Sequence, residues 1–120
     1  MASLTAADWT VTVQRKYMYG GRRCTSGTLA LAGTNTYPTG GVPMPDKSLF
    51  GMYRELVNFR LDGVAGGSTT NWVERWDKTN AKLQFYVSHD TAGATTLPLD
   101  EAPVTAVPGP RTYTFEACGW

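Results

Sequence analysis

The chain has 120 residues, 42% hydrophobic, 12% aromatic and only 18% charged, which defines one folded domain with a single core. With 11 basic side chains against 10 acidic ones, the net charge is +1, which excludes a phosphate-neutralising face and a polybasic membrane signal. The 13 glycines and 7 prolines favour turns over helix, and no apolar run reaches the length of a membrane-spanning helix.

The opening MASLTAADW has no basic segment followed by an apolar run, so residues 1–8 read as an N-terminal arm rather than a secretory signal. Trp9, Val11 and Val13 alternate with Thr10, Thr12 and Gln14, the period-two pattern of a half-buried strand. In KYMYGGRRC, Gly20-Gly21 supplies the positive φ angles of a tight primed turn and pairs Tyr17–Tyr19 with Arg22–Cys24. The return strand continues through TSGTLALAG. Leu29 and Leu31 share a face there, and Gly27 marks a bulge or a close backbone approach.

GTNTYPTGGVPMPDKS reads as irregular, because Pro38, Gly40, Gly41, Pro43 and Pro45 exclude a regular element. Asp46 is placed to cap one helical turn through Phe50, and Gly51 ends it. ELVNFRLDG returns to alternation, with Val57, Phe59 and Leu61 on one side, and DGVAGGSTT reads as a loop.

NWVERWDKTNAKLQFYV is a second hairpin. Trp72, Glu74 and Trp76 face one way and Val73 and Arg75 the other; after the turn, Leu83, Phe85 and Val87 oppose Gln84 and Tyr86. Asp77 accepts from turn N–H groups, and Asn80 tolerates the left-handed conformation. Residues 88–111 lose periodicity while carrying Leu97, Leu99, Val104 and Val107, apolar groups that need burial on this domain or on a partner. RTYTFEACGW closes the chain as a strand, Tyr113, Phe115 and Ala117 opposing Thr114, Glu116 and Cys118. The expectation is a single all-β domain over residues 1–120. It is a small sandwich or barrel of six to seven mostly antiparallel strands with long irregular loops.

Chemistry finds few parts. The single histidine, His89, has no placed nucleophile and reads as a solvated loop residue. Cys24 and Cys118 match no metal or redox spacing; they read as buried thiols or as a pairing of neighbouring strands, the reduced form being favoured in a cytoplasmic product. Asp90, Asp100 and Glu101 lack a calcium-loop spacing, and no motif singles out two carboxylates for glycoside hydrolysis. Arg15, Lys16, Arg22 and Arg23 read as a solvated hairpin tip. Trp72 and Trp76 are candidates for stacking on sugars, but Glu74 between them argues for a core edge or a subunit interface. No catalytic residue, cofactor or metal is expected.

The order of these pieces carries a resemblance. YGGRRCTSGTLALAG, then TYPTGGVPM, WVERWDKTNAKLQFY and TYTFEACGW resemble the small all-β decoration, or cement, proteins of tailed-bacteriophage capsids. Tyr37, Thr39, Gly40 and Gly41 match the family's glycine loop. Asp77, Asn80, Lys82, Leu83 and Tyr86 match its hairpin, and Phe115, Ala117 and Gly119 its end. The segment Thr91–Pro110 departs from the pattern by its length. The resemblance implies a virion protein, made in the host cytoplasm and bound to the outside of the expanded shell. Its partner would be the major capsid protein, its form a homotrimer at three-fold or quasi-three-fold sites, with no nucleic acid and no membrane bound. The contacts expected on that basis are Ser3, Leu4 and Trp9 in the arm, Tyr37, Pro38, Met44 and Phe50 in the loop, and Leu97, Leu99 and Val104 in the long segment. Trp72 and Trp76 are expected at the trimer interface. Another phage structural role, in the tail or at the head–tail joint, and a carbohydrate-binding β-module are the alternatives.

Overall fold

The computed structural model describes residues 2–67, 72–88 and 99–120. The described residues form eight strands: β1 (Trp9–Tyr19), β2 (Arg22–Leu31), β3 (Val42–Pro43), β4 (Leu56–Gly67), β5 (Val73–Asp77), β6 (Lys82–Ser88), β7 (Leu99–Glu101) and β8 (Arg111–Gly119). They form two antiparallel four-stranded sheets that face each other. The first has the order β1-β2-β8-β4. In the second, β6 is flanked by β5 on one side, with β3 and β7 as its further partners. The architecture is a sandwich, not a closed barrel.

Local chemistry builds the long hairpin as its sequence dictates. Gly20 and Gly21 have φ of 58° and 79°, the double left-handed geometry that matches strand twist and that side chains resist. Tyr19 therefore pairs with Arg22, and the register runs back to Trp9 opposite Leu31. Opposite Gly27, β1 takes an extra residue between Val13 and Arg15. That bulge moves the faces of β1 by one position, so Lys16 and Met18 continue the inward row while Tyr17 and Tyr19 turn outward.

β8 lies between β2 and β4 and alternates without a break, Arg111, Tyr113, Phe115, Ala117 and Gly119 being buried. The core forms where this row meets Leu29, Leu31 and Phe59 of the first sheet and Val42, Leu83 and Phe85 of the second. Phe50 stands edge-on to Phe115, with centroids 5.1 Å apart, and to Phe59 at 5.5 Å, geometries that add to simple area burial. Asp46 accepts from Ser48 N–H at 2.9 Å to start the 3-10 turn Lys47–Phe50, and this turn delivers Phe50 to the core.

Several expectations change. The arm is docked, not free: Leu4 is buried, Ser3 bridges Thr36, and Leu4 N–H donates to the Thr36 carbonyl at 2.8 Å. DGVAGG is strand, carried into β4 by three register shifts, at Leu56/Asn58, Leu61/Gly63 and Val64/Gly66. Val42 and Pro43 pair with β6, and Leu99–Glu101 adds to β6 inside the stretch read as wholly irregular. In the second hairpin Asn80 does hydrogen-bond Asp77, at 2.8 Å, but the left-handed residue is Ala81, with φ of 52°.

The reduced form expected of Cys24 and Cys118 is not what the fold contains: they are joined as a disulfide, because the β2–β8 register places them directly opposite each other. The bond closes a loop of sequence separation 94, so it removes much of the freedom of the unfolded chain. The double variant C24A/C118A is expected to lose about 2 to 5 kcal/mol of stability, read as a lower urea midpoint, with reduced wild-type protein behaving alike. Ala81→Gly is expected to stabilise the fold by up to about 1 kcal/mol, read as a higher urea midpoint, because the left-handed backbone strains an L side chain.

Candidate interaction surface

Most residues expected to make contacts are core. Leu4, Trp9, Tyr37, Met44 and Phe50 are all buried; of these, Met44 keeps a little exposed surface, on the wall of a surface cavity. The Trp9 indole donates to the Pro43 carbonyl at 2.9 Å and ties the two sheets together. Ser3 is exposed and Pro38 half-buried. Trp72 and Trp76 are half-buried, packed toward Phe85 and Phe59 at centroid distances of 6.2 and 5.9 Å. Val104 is exposed. Leu97 and His89 lie outside the described residues, and Leu99 is described by its backbone in β7.

The matched glycine loop has a structural purpose. The Tyr37 hydroxyl accepts from Phe85 N–H at 3.3 Å and donates to Glu101 Oε2 at 3.1 Å, while Glu101 Oε1 accepts from Gly40 N–H at 3.1 Å. One tyrosine and one carboxylate thus fasten the loop to β6 and β7. Burial, followed by the hydrogen bond to Glu101, pushes the Tyr37 hydroxyl well above its usual range, despite the opposing Phe85 N–H.

A second polar cluster bridges the sheets. Glu74 points inward between the two tryptophans, accepting from the Tyr113 hydroxyl at 2.8 Å and from Arg111 Nη1 at 3.3 Å. Arg111 is 4% exposed and Glu74 17%, so the carboxylate that argued against a buried row is inside because a cation and a hydroxyl meet it. Burial is also the main cause that raises the Tyr113 hydroxyl, with Glu74 adding to it and Arg111 opposing. Both clusters are held together mainly by contacts among their own members.

The open surface lies at the other end of the first sheet, around the β1–β2 turn. Met18 is 66% exposed, Tyr53 72% and Trp120 46%. With Arg23, Arg54, Gly21 and Gly119 they line a shallow cavity of about 310 Å³. The Trp120 carbonyl accepts from Tyr53 and Arg54 N–H at 2.8 Å each, and Trp120 N–H donates to the Glu55 carbonyl at 3.0 Å. The aromatic groups are therefore presented by a fixed backbone. Arg22 lies 5.5 Å from the Trp120 ring centre and Arg23 lies 4.9 Å from that of Tyr53, cation–π contacts that hold guanidinium groups beside the rings. Among the described residues no carboxylate pairs with Arg22, Arg23 or Arg54.

This surface was passed over in the sequence, where the basic cluster read as a solvated tip. The available signal was aromatic residues lying outside the alternating patterns and next to arginine: Tyr19 before Arg22-Arg23, and Tyr53 before Arg54. Among the described residues, no three His, Cys, Asp or Glu side chains stand close enough to hold a metal ion, and no helix is long and apolar enough to cross a membrane. No protein-family model, curated protein or solved structure matches the chain.

Tyr37 and Tyr113 both titrate above the ordinary value of 10 when folded. Folding favours their neutral forms, so their contribution is complete below about pH 10 and is lost as pH rises through the folded-state values. Urea unfolding is expected to show no loss from these groups between about pH 7 and pH 9 and a decline above about pH 10. Tyr37→Phe is expected to cost about 1 to 3 kcal/mol at neutral pH, since it strands the Phe85 N–H, and to make the alkaline decline shallower.

Proposed function

We propose that this is a structural virion protein that binds the exterior of an expanded phage capsid and stabilises the shell by bridging capsomers. The major capsid protein is its partner, and the Met18–Tyr53–Trp120 end meets it. The observation that supports this reading is that end: large aromatic and aliphatic side chains, held out by fixed backbone and flanked by arginines. Tyr, Trp and Arg are the residue types that dominate protein-binding hot spots, because they bury much area at little entropic cost. The resemblance in the order of sequence motifs supplies the biological setting.

The mechanism is mass action. A protein that binds only the assembled, expanded lattice stabilises that lattice by its binding free energy, repeated over many sites. Association as a homotrimer at three-fold positions multiplies the affinity of each contact, because the second and third sites bind at high effective concentration. A disulfide-tied sandwich suits this role, since little is lost in ordering a surface that is already ordered.

The test is co-sedimentation with undecorated expanded capsids and with immature shells. Saturable binding to the expanded particles alone is expected. The double variant Y53A/W120A is expected to weaken it by about a hundredfold, two hot-spot side chains being removed, with an unchanged unfolding midpoint. A protein indifferent to both particle forms overturns the reading.

A further inference from the structure

Next to the aromatic end, a surface cavity of about 260 Å³ opens between the β5–β6 turn and the residues that lead into β4. Met44, Leu56, Trp76 and Ala81 give it apolar walls, and it shares Arg54 with the cavity under Tyr53 and Trp120. Its volume lies just below the range of small-molecule sites, and its apolar walls have room for an aliphatic side chain. Its rim is charged in one sense: Lys47, Arg54 and Lys78 stand there with a single acid, Glu55. Lys78 engages Glu55 at 3.2 Å. Among the described residues no carboxylate pairs with Lys47 or Arg54.

A nearly neutral chain thus places Arg23, Lys47 and Arg54 around two adjoining cavities, with Arg22 beside Trp120, and among the described residues none of the four has a carboxylate partner. The geometry points to a docking surface for an acidic, extended segment of a partner protein. One apolar side chain of that segment enters the Met44–Leu56–Trp76–Ala81 cavity, and its carboxylates meet Arg54, Lys47 and Arg23. Single-stranded nucleic acid fits less well. The Trp120 and Tyr53 rings each already have a guanidinium beside them, and a socket for an aliphatic group offers no stacking platform. Charge complementarity selects the acidic segment, and the socket selects its anchor. The inference rests on the proposed function only in taking the partner to be a protein.

The test uses fluorescence anisotropy with labelled probes: a short peptide of Glu, Ser and Gly around one central Leu, the same peptide with Ala for Leu, the same with Lys for Glu, and an oligothymidylate. The Glu/Leu peptide is expected to bind and to weaken with added salt. Exchange of its Leu for Ala is expected to cost about fivefold, and the Lys peptide and the oligonucleotide are expected not to bind. Arg54→Glu in the protein is expected to weaken the Glu/Leu peptide about tenfold. Lys47→Glu is expected to act in the same direction, both with unchanged unfolding midpoints. Equal binding of the acidic and basic peptides, indifference to both substitutions, or binding of the oligonucleotide alone overturns the inference. So does a light-scattering result in which Arg54→Glu abolishes self-association instead, since the occupant is then a second copy. The same variants separate this inference from the capsid reading. Peptide binding without capsid binding overturns only that reading, and capsid binding untouched by Arg54→Glu overturns only this surface.

Discussion

The register of β8 is the constraint on which the rest of the molecule depends. It is hydrogen-bonded to β2 on one side and β4 on the other, and every second residue points between the sheets. Arg111 and Tyr113 fall opposite Glu74, Phe115 falls against Phe50 and Phe59, and Cys118 falls opposite Cys24. Gly119 ends the row where a Cβ would lie 2.0 Å from the Glu55 carbonyl oxygen. Only glycine allows that approach, and through it Trp120 bonds to the Tyr53–Glu55 backbone. A slip of one residue would turn the core outward, part the cysteines and dismantle the exposed aromatic end together.

Polar groups between the sheets sharpen this register. A buried carboxylate is tolerated only where donors meet it, and Glu74 finds two, both from β8. Any other alignment of the β5–β6 hairpin over the first sheet leaves Glu74 and Arg111 apart inside the protein, at a cost of several kcal/mol. Glu101 does the same for the loop carrying Tyr37 and Gly40. Apolar packing gives the sandwich most of its stability, and these two clusters fix how its layers are aligned.

The molecule measures 49 × 34 × 26 Å, and its sealed polar clusters and its exposed aromatic side chains lie in different parts of it. At the end carrying Tyr37 and Glu101 the hydroxyl and carboxylate groups satisfy each other. At the end carrying Gly20 and Gly21 the hairpin outruns the second sheet, so Met18 and Arg23 continue the inward rows with no facing sheet to cover them. Tyr53 and Trp120 fill part of that space and stay accessible. Side chains tied this closely to hydrogen-bonded backbone yield an exposed, prearranged patch.

Residues with a local physical signature were legible in the sequence. The alternation in Trp9–Val13, Leu83–Val87 and Tyr113–Ala117, the Gly20-Gly21 turn, the Asp46 cap and the all-β class all follow from short-range periodicity and turn sterics. The candidate contacts were not. An apolar residue in an irregular segment, such as Leu4, Tyr37, Met44 or Phe50, has no period to say whether it faces inward, and only the assembled sheets show that it seals their edges. The same holds for Glu74, whose place inside depends on Arg111 and Tyr113 far along the chain, and for the cysteine pair. The sequence by itself determined the strands that alternate without a break and the turns with their own sterics, because those preferences act between near neighbours; the end of β4 and the short β3 and β7 depend on the strands they pair with. The tertiary structure alone decided which side chains remain exposed together, because burial depends on what the fold brings from a distance.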